Sequence, residues 1–257
     1  MTESPPDRKR IVLQQERTDA NQQAFEVYHL SHDLRGPLNS ILGFTELLLE
    51  EIEGSLNEVQ KEDISAINQS AQNLLRLINN MVDLSKLDAG RLEFNFEVVY
   101  LKQIINGLSI SDVWTGRPDQ VELVVDLPET LPLLWGDSSR VEQMVMGLLS
   151  LALRLKRAGE VVITADYDAK TVTIQIHLPE VVVSAQELEE FFKLMVKVDA
   201  TGRSELGSGG LEFPLVRRLA EKHKGRVWAE SEEGAGTTFY LSVPVYDETG
   251  QSSMSLS

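Results

Sequence analysis

The sequence predicts an α+β protein of two parts: a two-helix hairpin that forms a dimeric four-helix bundle, followed by an α/β sandwich. Two long segments whose apolar residues recur every three or four positions indicate the hairpin. After residue 90, short segments of alternating polarity indicate strands, with helix-forming segments between them. A chain of 257 residues, 42% of them hydrophobic, is long enough to bury both cores.

The hairpin is predicted at residues 20–90, after a flexible N-terminal segment at 1–19. Its first apolar series runs from Leu30 to Ile52, and a second series begins at Ile64. The stretch "EGSLNE" between the two series contains a glycine and polar residues, which are typical of a turn between antiparallel helices. One hairpin offers too few facing layers to bury both apolar stripes. We therefore expect a homodimer in which two hairpins form the four-helix bundle.

The second part is predicted at residues 91–246, and the polar segment 247–257 is predicted to be a disordered tail. The expected fold is one mixed sheet under a helical layer. The segment "EVVITADYDAKTVTIQIHL" predicts a β-hairpin that turns at residues 168–170. Further strands are predicted at "RLEFNFEVV", "QVELVVDLP", "GRVWAES" and "TTFYLSVPV", and helices near 101–109, 138–157, 185–195 and 211–223.

Composition excludes several classes of function. The chain has no cysteine, so a disulfide framework and cysteine-ligated zinc are excluded. A formal charge of −16 repels phosphate backbones, so we expect no nucleic-acid partner. No apolar run approaches the roughly 18 residues of a membrane span, so we expect a cytoplasmic protein. His177 and His223 have no partners at metal-ligand spacing, and no metal site is expected.

A polar cluster in the first helix is the main candidate for chemistry. In "YHLSHDLRGPLNSILGF", His32 lies off the predicted buried stripe, and Arg35 follows three residues later on the same face. A neutral imidazole is a competent nucleophile, and the neighbouring Asp33 could hold one ring nitrogen protonated while the other attacks. Arg35 could balance phosphoryl charge. Taken by themselves, the same residues also fit an exposed histidine in a charged helix turn.

The wider context of that cluster resembles a known family. "SHDLRGPLNSILGF", followed by "LLRLINNMVDLSKLDAGRLEF", resembles the dimerisation and phosphoacceptor domain of sensor histidine kinases. The strands and helices that follow resemble the family's ATP-binding domain of the Bergerat type, so the resemblance covers residues 20–246. It implies that His32 receives a phosphoryl group, that Asp33 acts as base, and that the partner is a response-regulator receiver domain.

The residues expected to bind nucleotide depart from the family's pattern. In "RVEQMVMGLLSLALRLKRAG", Gly147 and Leu151 stand where the resemblance places two asparagines that meet Mg²⁺ and phosphate, and Arg154 stands at a lysine position. Leu178 stands where an aspartate would bind adenine. In the family, glycines follow that aspartate. Other residues, including Glu180, stand at those positions here. We therefore expect no cofactor, and ATP with Mg²⁺ only if the chain is an active kinase.

The glycine-rich lid and the closing strand are partly retained. "ELGSGGLEF" resembles the family's lid, but Glu212 replaces a glycine and would repel a triphosphate. We interpret the retained residues as vestigial for nucleotide binding, and a phosphate-covering lid is the alternative. These candidate cofactor residues are Gly207, Gly209, Gly210, Gly234, Gly236 and Thr237.

Three functions remain open at this point. The preferred one is a histidine phosphotransferase in which His32 takes a phosphoryl group from the aspartyl phosphate of one receiver domain and passes it to another. The second is an ATP-dependent sensor kinase that autophosphorylates His32, and the third is a scaffold without chemistry. Gly36 stands where the family commonly has a Thr or Asn that orients water for phosphatase activity, so we expect weak or no such activity.

Overall fold

A computed structural model describes residues 5–52, 54–108, 120–156, 158–191, 196–198, 204–206 and 210–247. The chain divides into two compact units, residues 1–93 and residues 94–257. This division lies close to the predicted boundary at residue 90.

The first unit is a helical hairpin. Helix α1 spans Pro5–Leu49 and helix α2 spans Glu58–Asp88. Helix α1 begins before the predicted boundary at residue 20, and Pro37 lies inside it. Asn57 caps α2 through a reciprocal pair of bonds with Gln60, which satisfies two backbone N–H groups at the helix start.

The buried core of the single hairpin is small. Leu38, Ala71 and Ile78 form a buried cluster, and the Asn68 side-chain amide donates a 2.7 Å hydrogen bond to the Thr45 hydroxyl between the helices. Several apolar residues of the two predicted stripes are exposed in the single hairpin, as expected if one hairpin has too few facing layers to bury both stripes. They are Leu30, Leu34, Ile41, Leu48, Ile52, Ile67, Leu74 and Met81.

The second unit is a mixed sheet with helices packed on one side. The strands of a five-stranded sheet are β2 Val121–Asp126, β4 Gly159–Tyr167, β5 Thr171–Leu178, β8 Arg226–Glu232 and β9 Gly236–Pro244. They lie in the order β2-β4-β5-β9-β8, in which β2 and β4 are parallel and the other neighbours are antiparallel. The helices are α3 Leu101–Asn106, α4 Ser138–Leu155, α5 Ala185–Phe191 and α6 Glu212–Lys222.

Two short antiparallel pairs lie outside that sheet. Strand β1, Glu97–Val99, pairs with β3, Leu134–Gly136, and β6, Val196–Val198, pairs with β7, Ser204–Leu206. The sequence indicated β1 as part of a longer strand and did not indicate the other three. Strands of three residues are too short to show an alternation of polar and apolar side chains.

The β4–β5 hairpin confirms the predicted turn. The Asp168 carboxylate accepts hydrogen bonds from the backbone N–H groups of Lys170 and Thr171. These bonds hold the pKa of Asp168 below its usual value, so the turn is fixed by a charged acceptor.

Helix α4 is the centre of the helical layer. Its fully buried residues pack between the sheet and α6, and all are apolar: Val141, Met144, Val145, Leu148, Leu149, Leu151, Ala152 and Leu153. Within the described residues, no helix combines the length and the hydropathy that a membrane span requires. The predicted tail lies outside the described residues, except for Asp247 at its start.

Candidate functional site

The phosphoacceptor candidate stands on the outer face of α1. The side chains of His32 and Asp33 are 78% and 82% exposed, so a large partner can reach both. The His32 Nδ1 atom lies 3.7 Å from Asp33 Oδ1. This distance is longer than a hydrogen bond, so the contact is electrostatic; it places the carboxylate on the Nδ1 side of the ring, with Nε2 on the other side.

Arg35 is anchored to the second helix. Its Nε and Nη2 atoms donate hydrogen bonds of 3.2 and 2.9 Å to the Asn79 side-chain oxygen of α2. Arg35 was predicted to balance phosphoryl charge beside His32. In the structure its guanidinium is already hydrogen-bonded to α2 and holds the two helices together. Asn79 could not be predicted from the sequence, because a contact between positions 44 residues apart depends on the pairing of the helices.

The positions assigned to magnesium do not offer oxygen ligands. Gly147 has no side chain, and a Cβ built there would lie 2.7 Å from Cγ2 of Val216 in α6. Leu151 is apolar and fully buried. Mg²⁺ requires oxygen donors in near-octahedral geometry, so these two positions do not fit the ion that the resemblance implies.

The position assigned to adenine is also apolar. Leu178 ends β5 and is fully buried. The loop that follows is bound internally, since the buried Lys156 donates a 2.6 Å hydrogen bond to the carbonyl oxygen of Pro179. Position 178 therefore lacks the carboxylate that, by the resemblance, would bind the adenine amino group.

The candidate glycines of the closing strand have structural roles. Gly234 has a φ of +84° in the turn between β8 and β9. Gly236 has a φ of +93°, and a Cβ there would lie 2.3 Å from the carbonyl oxygen of Leu178, so only glycine fits. The Thr237 hydroxyl donates a 2.7 Å hydrogen bond to the carbonyl oxygen of Val181.

In the predicted lid, Gly207 and Gly209 lie outside the described residues, whereas Gly210 is described and has a φ of +57°. Glu212 begins α6 and is buried. Its Oε2 atom lies 2.8 Å from Nη2 of Arg154 in α4. The sequence predicted that Glu212 would repel a triphosphate, and the structure shows that its charge is already paired.

His177 and His223 both lie in the second unit and contact other protein groups. His177 Nδ1 lies 2.9 Å from the Thr238 hydroxyl on the neighbouring strand. His223 is buried, and its pKa is lowered by burial. Among the described residues, no three His, Asp or Glu side chains are grouped so that they could hold a metal ion.

Two family models match the chain. The His Kinase A (phospho-acceptor) domain matches residues 22–90. The histidine kinase-, DNA gyrase B- and HSP90-like ATPase matches residues 136–247. The two matches follow the two units of the structure in the same order.

Curated relatives are similar over most of the chain. The cell-division control histidine kinase PdhS of Brucella abortus (strain S19) is 28% identical over 237 residues, which is 88% of this chain and 23% of PdhS. An uncharacterized sensor-like histidine kinase of Rhizobium meliloti (strain 1021) is 32% identical, over 84% of this chain and 41% of its own length. The chain thus spans less than half the length of either relative.

Solved structures share the fold. Full-length ShkA in complex with AMPPNP superposes with a TM-score of 0.65 at 23% identity, over 86% of this chain and 46% of ShkA. The histidine kinase ThkA in complex with the response regulator protein TrrA gives a TM-score of 0.55 at 17% identity, over 92% of this chain and 66% of that chain.

Proposed function

Since the chain belongs to the sensor histidine kinase family, we propose that it is a histidine phosphotransferase that moves phosphoryl groups between response-regulator receiver domains without a nucleotide. The observation that carries the proposal is a contrast between the two units. His32 and Asp33 are exposed and adjacent, whereas Gly147, Leu151 and Leu178 offer no ligand to Mg²⁺ or adenine.

The proposed step is balanced without an external energy source. Nε2 of a neutral His32 attacks the phosphorus of an aspartyl phosphate on the receiver, the new P–N bond forms, and the P–O bond to the aspartate breaks. The aspartate leaves as a carboxylate. Asp33 stabilises the proton that stays on Nδ1 of the imidazole. Reversal of the step on a second receiver returns His32 to its starting state.

The unit at residues 1–93 would act as a homodimer. Three exposed residues of α1, Leu34, Ile41 and Leu48, recur every seven positions. Three exposed residues of α2 do the same: Ile67, Leu74 and Met81. Apolar lines of this period on both helices of a hairpin are the pattern that a four-helix bundle buries.

Transfer from charged receiver domains tests the proposal. Receiver domains of the source genome would be charged with radiolabelled acetyl phosphate, separated from it, and mixed with the chain. We expect label on the wild type and no label on the His32→Ala variant. The His29→Gln variant is a matched control, because His29 is another exposed histidine on the same helix, and it should accept label as the wild type does.

ATP-dependent kinase activity is the second candidate, and the match of the ATPase family model to residues 136–247 favours it. Labelling of His32 by γ-labelled Mg-ATP would establish it and would contradict the nucleotide-free proposal. Receiver binding without label from either donor would leave a scaffold, the third candidate. The donor that labels His32 therefore separates all three functions.

A further inference from the structure

An ion pair between two helices occupies positions that the resemblance assigns to the nucleotide site. Oε2 of Glu212, at the start of α6, lies 2.8 Å from Nη2 of Arg154, near the end of α4. The Glu212 side chain is 9% exposed and that of Arg154 is 38% exposed, so the carboxylate is the more deeply buried partner.

The carboxylate is held by more than the arginine. The Ser150 hydroxyl lies 3.3 and 3.4 Å from the two carboxylate oxygens. Glu212 also stands in the first turn of an 11-residue helix, where the helix dipole favours a negative charge. Gly210 lies next to the pair, because a Cβ there would be 3.9 Å from Nη1 of Arg154.

The two helices are in close contact beside the pair. Val216 of α6 lies so near Gly147 of α4 that a Cβ at residue 147 would be 2.7 Å from its methyl group. A larger residue at position 147 would require Val216 or α6 to shift. The asparagine that the resemblance expects at this position would therefore collide with Val216 in the present packing.

We propose that the Glu212 carboxylate is a built-in anion that neutralises Arg154 and holds α6 on α4, so that the two helices stay packed together without nucleotide and phosphate is excluded from Arg154. A phosphate group could bind Arg154 only by displacing a buried carboxylate that is already in place. Arg154 and Glu212 both lie in the unit of residues 94–257. Their ion pair is therefore independent of whether His32 transfers phosphoryl groups.

Thermal unfolding tests the structural part of the proposal. Glu212→Gln keeps the shape and removes the charge, and we expect it to lower Tm by about 5 °C. Glu221→Gln is the matched control: it makes the same change on the same helix, in an ion pair with Arg217 whose side chains are 53% and 54% exposed. We expect the control to shift Tm by less than about 1 °C.

A double-mutant cycle distinguishes the loss of the ion pair from a general destabilisation by either substitution. Arg154→Gln and Glu212→Gln together should lower Tm by less than the sum of the two single changes, because the double variant leaves no unpaired charge. The cycle also remains informative if Glu212→Gln alone does not fold, since the neutral double variant should then regain folding. Additive losses, or a double variant that also fails to fold, would overturn the proposal.

Binding of inorganic tripolyphosphate tests the exclusion of phosphate. We expect millimolar tripolyphosphate to leave the Tm of the wild type unchanged and to raise that of Glu212→Gln, whose Arg154 is released from its anion. The double variant with Arg154→Gln should again show no rise. A rise in the wild type, or no rise in a folded Glu212→Gln variant, would contradict the assignment. Neither result depends on phosphorylation of His32.

Discussion

At the scale of single residues, Glu180 shows a conflict between backbone and side chain. It has a φ of +65°, a conformation that favours glycine, in a turn where Pro179 precedes it. The Val181 N–H donates a 3.4 Å hydrogen bond to the Leu178 carbonyl oxygen across this turn. A turn with proline second and a positive φ third is of type II, which prefers glycine at the third position.

Replacing Glu180 with glycine should therefore stabilise the C-terminal unit. We expect Glu180→Gly to raise the free energy of unfolding by about 0.5 to 1 kcal/mol. Glycine relieves the strain of the positive φ, and its greater conformational freedom in the unfolded chain offsets part of that gain. Denaturant unfolding of both proteins would measure the difference. Gly234→Ala is the converse control: its φ is +84° and a Cβ would meet nothing within 4 Å, so it should destabilise through the backbone alone. A Glu180→Gly variant that is less stable than the wild type would contradict this reading of the turn.

Gly36 gives a second prediction at the scale of single residues, based on the proposed function. A Cβ at Gly36 would meet nothing within 4 Å, so a side chain fits there. Because the resemblance places a water-orienting Thr or Asn at this position, Gly36→Asn should speed loss of phosphate from a charged receiver by roughly tenfold or more. Gly43→Asn, equally open and on the same helix, is the control. Equal rates for the two variants would show that position 36 does not govern the phosphatase reaction.

At the scale of elements, His223 joins the end of α6 to the start of α4. Its Nδ1 atom lies 2.8 Å from the Leu219 carbonyl oxygen, and Nε2 accepts a 3.1 Å hydrogen bond from the Asp137 backbone N–H. Its ring also contacts the rings of Phe94 and Phe96. Nε2 can accept this bond only when the imidazole is neutral.

Acid should therefore destabilise the C-terminal unit through His223. Burial lowers its pKa in the folded state, partly opposed by its bond to Leu219 and by the Asp137 charge. The unfolded chain then takes up the proton at the higher pH, so this contribution to stability is complete above about pH 6.5 and is lost as the pH falls through the lowered value. Urea unfolding between about pH 7.5 and 5.5, roughly one unit either side of histidine's ordinary value, would measure it. His223→Gln should reduce the slope, and an unchanged slope in His223→Gln would contradict the prediction.

The elements also show where sequence reasoning succeeds. The β4–β5 hairpin was predictable because its alternation is long and Asp168 marks the turn. The partner of Glu212 was not predicted, because the ion pair with Arg154 depends on how α4 and α6 pack. The sequence did contain one indication of this pair. Arg154 and Glu212 both differ from the residues that the family has at these positions, and they carry opposite charges. The resemblance also places their two segments at one site.

At the scale of the whole molecule, a single chain leaves an apolar surface of the hairpin exposed to solvent. Leu34, Ile41 and Leu48 form one line of the proposed dimer face, and they are 37%, 41% and 42% exposed. A soluble monomer rarely exposes so continuous an apolar surface, whereas an obligate dimer interface resembles a protein core cut in half. The same hairpin presents His32 on an exposed face, so the proposed association and the proposed phosphotransfer would use different surfaces.

A charge placed on the dimer face should separate the chains. We expect the wild type to sediment with the mass of two chains. Ile41→Glu should raise the dimer dissociation constant by roughly a hundredfold or more, because a twofold axis buries the new carboxylate twice. Leu47→Glu makes a similar change at a 53% exposed position off the seven-residue line, and it should remain dimeric. A monomeric wild type, or equal weakening by both variants, would mean that the apolar lines of α1 and α2 do not form the core of a four-helix bundle.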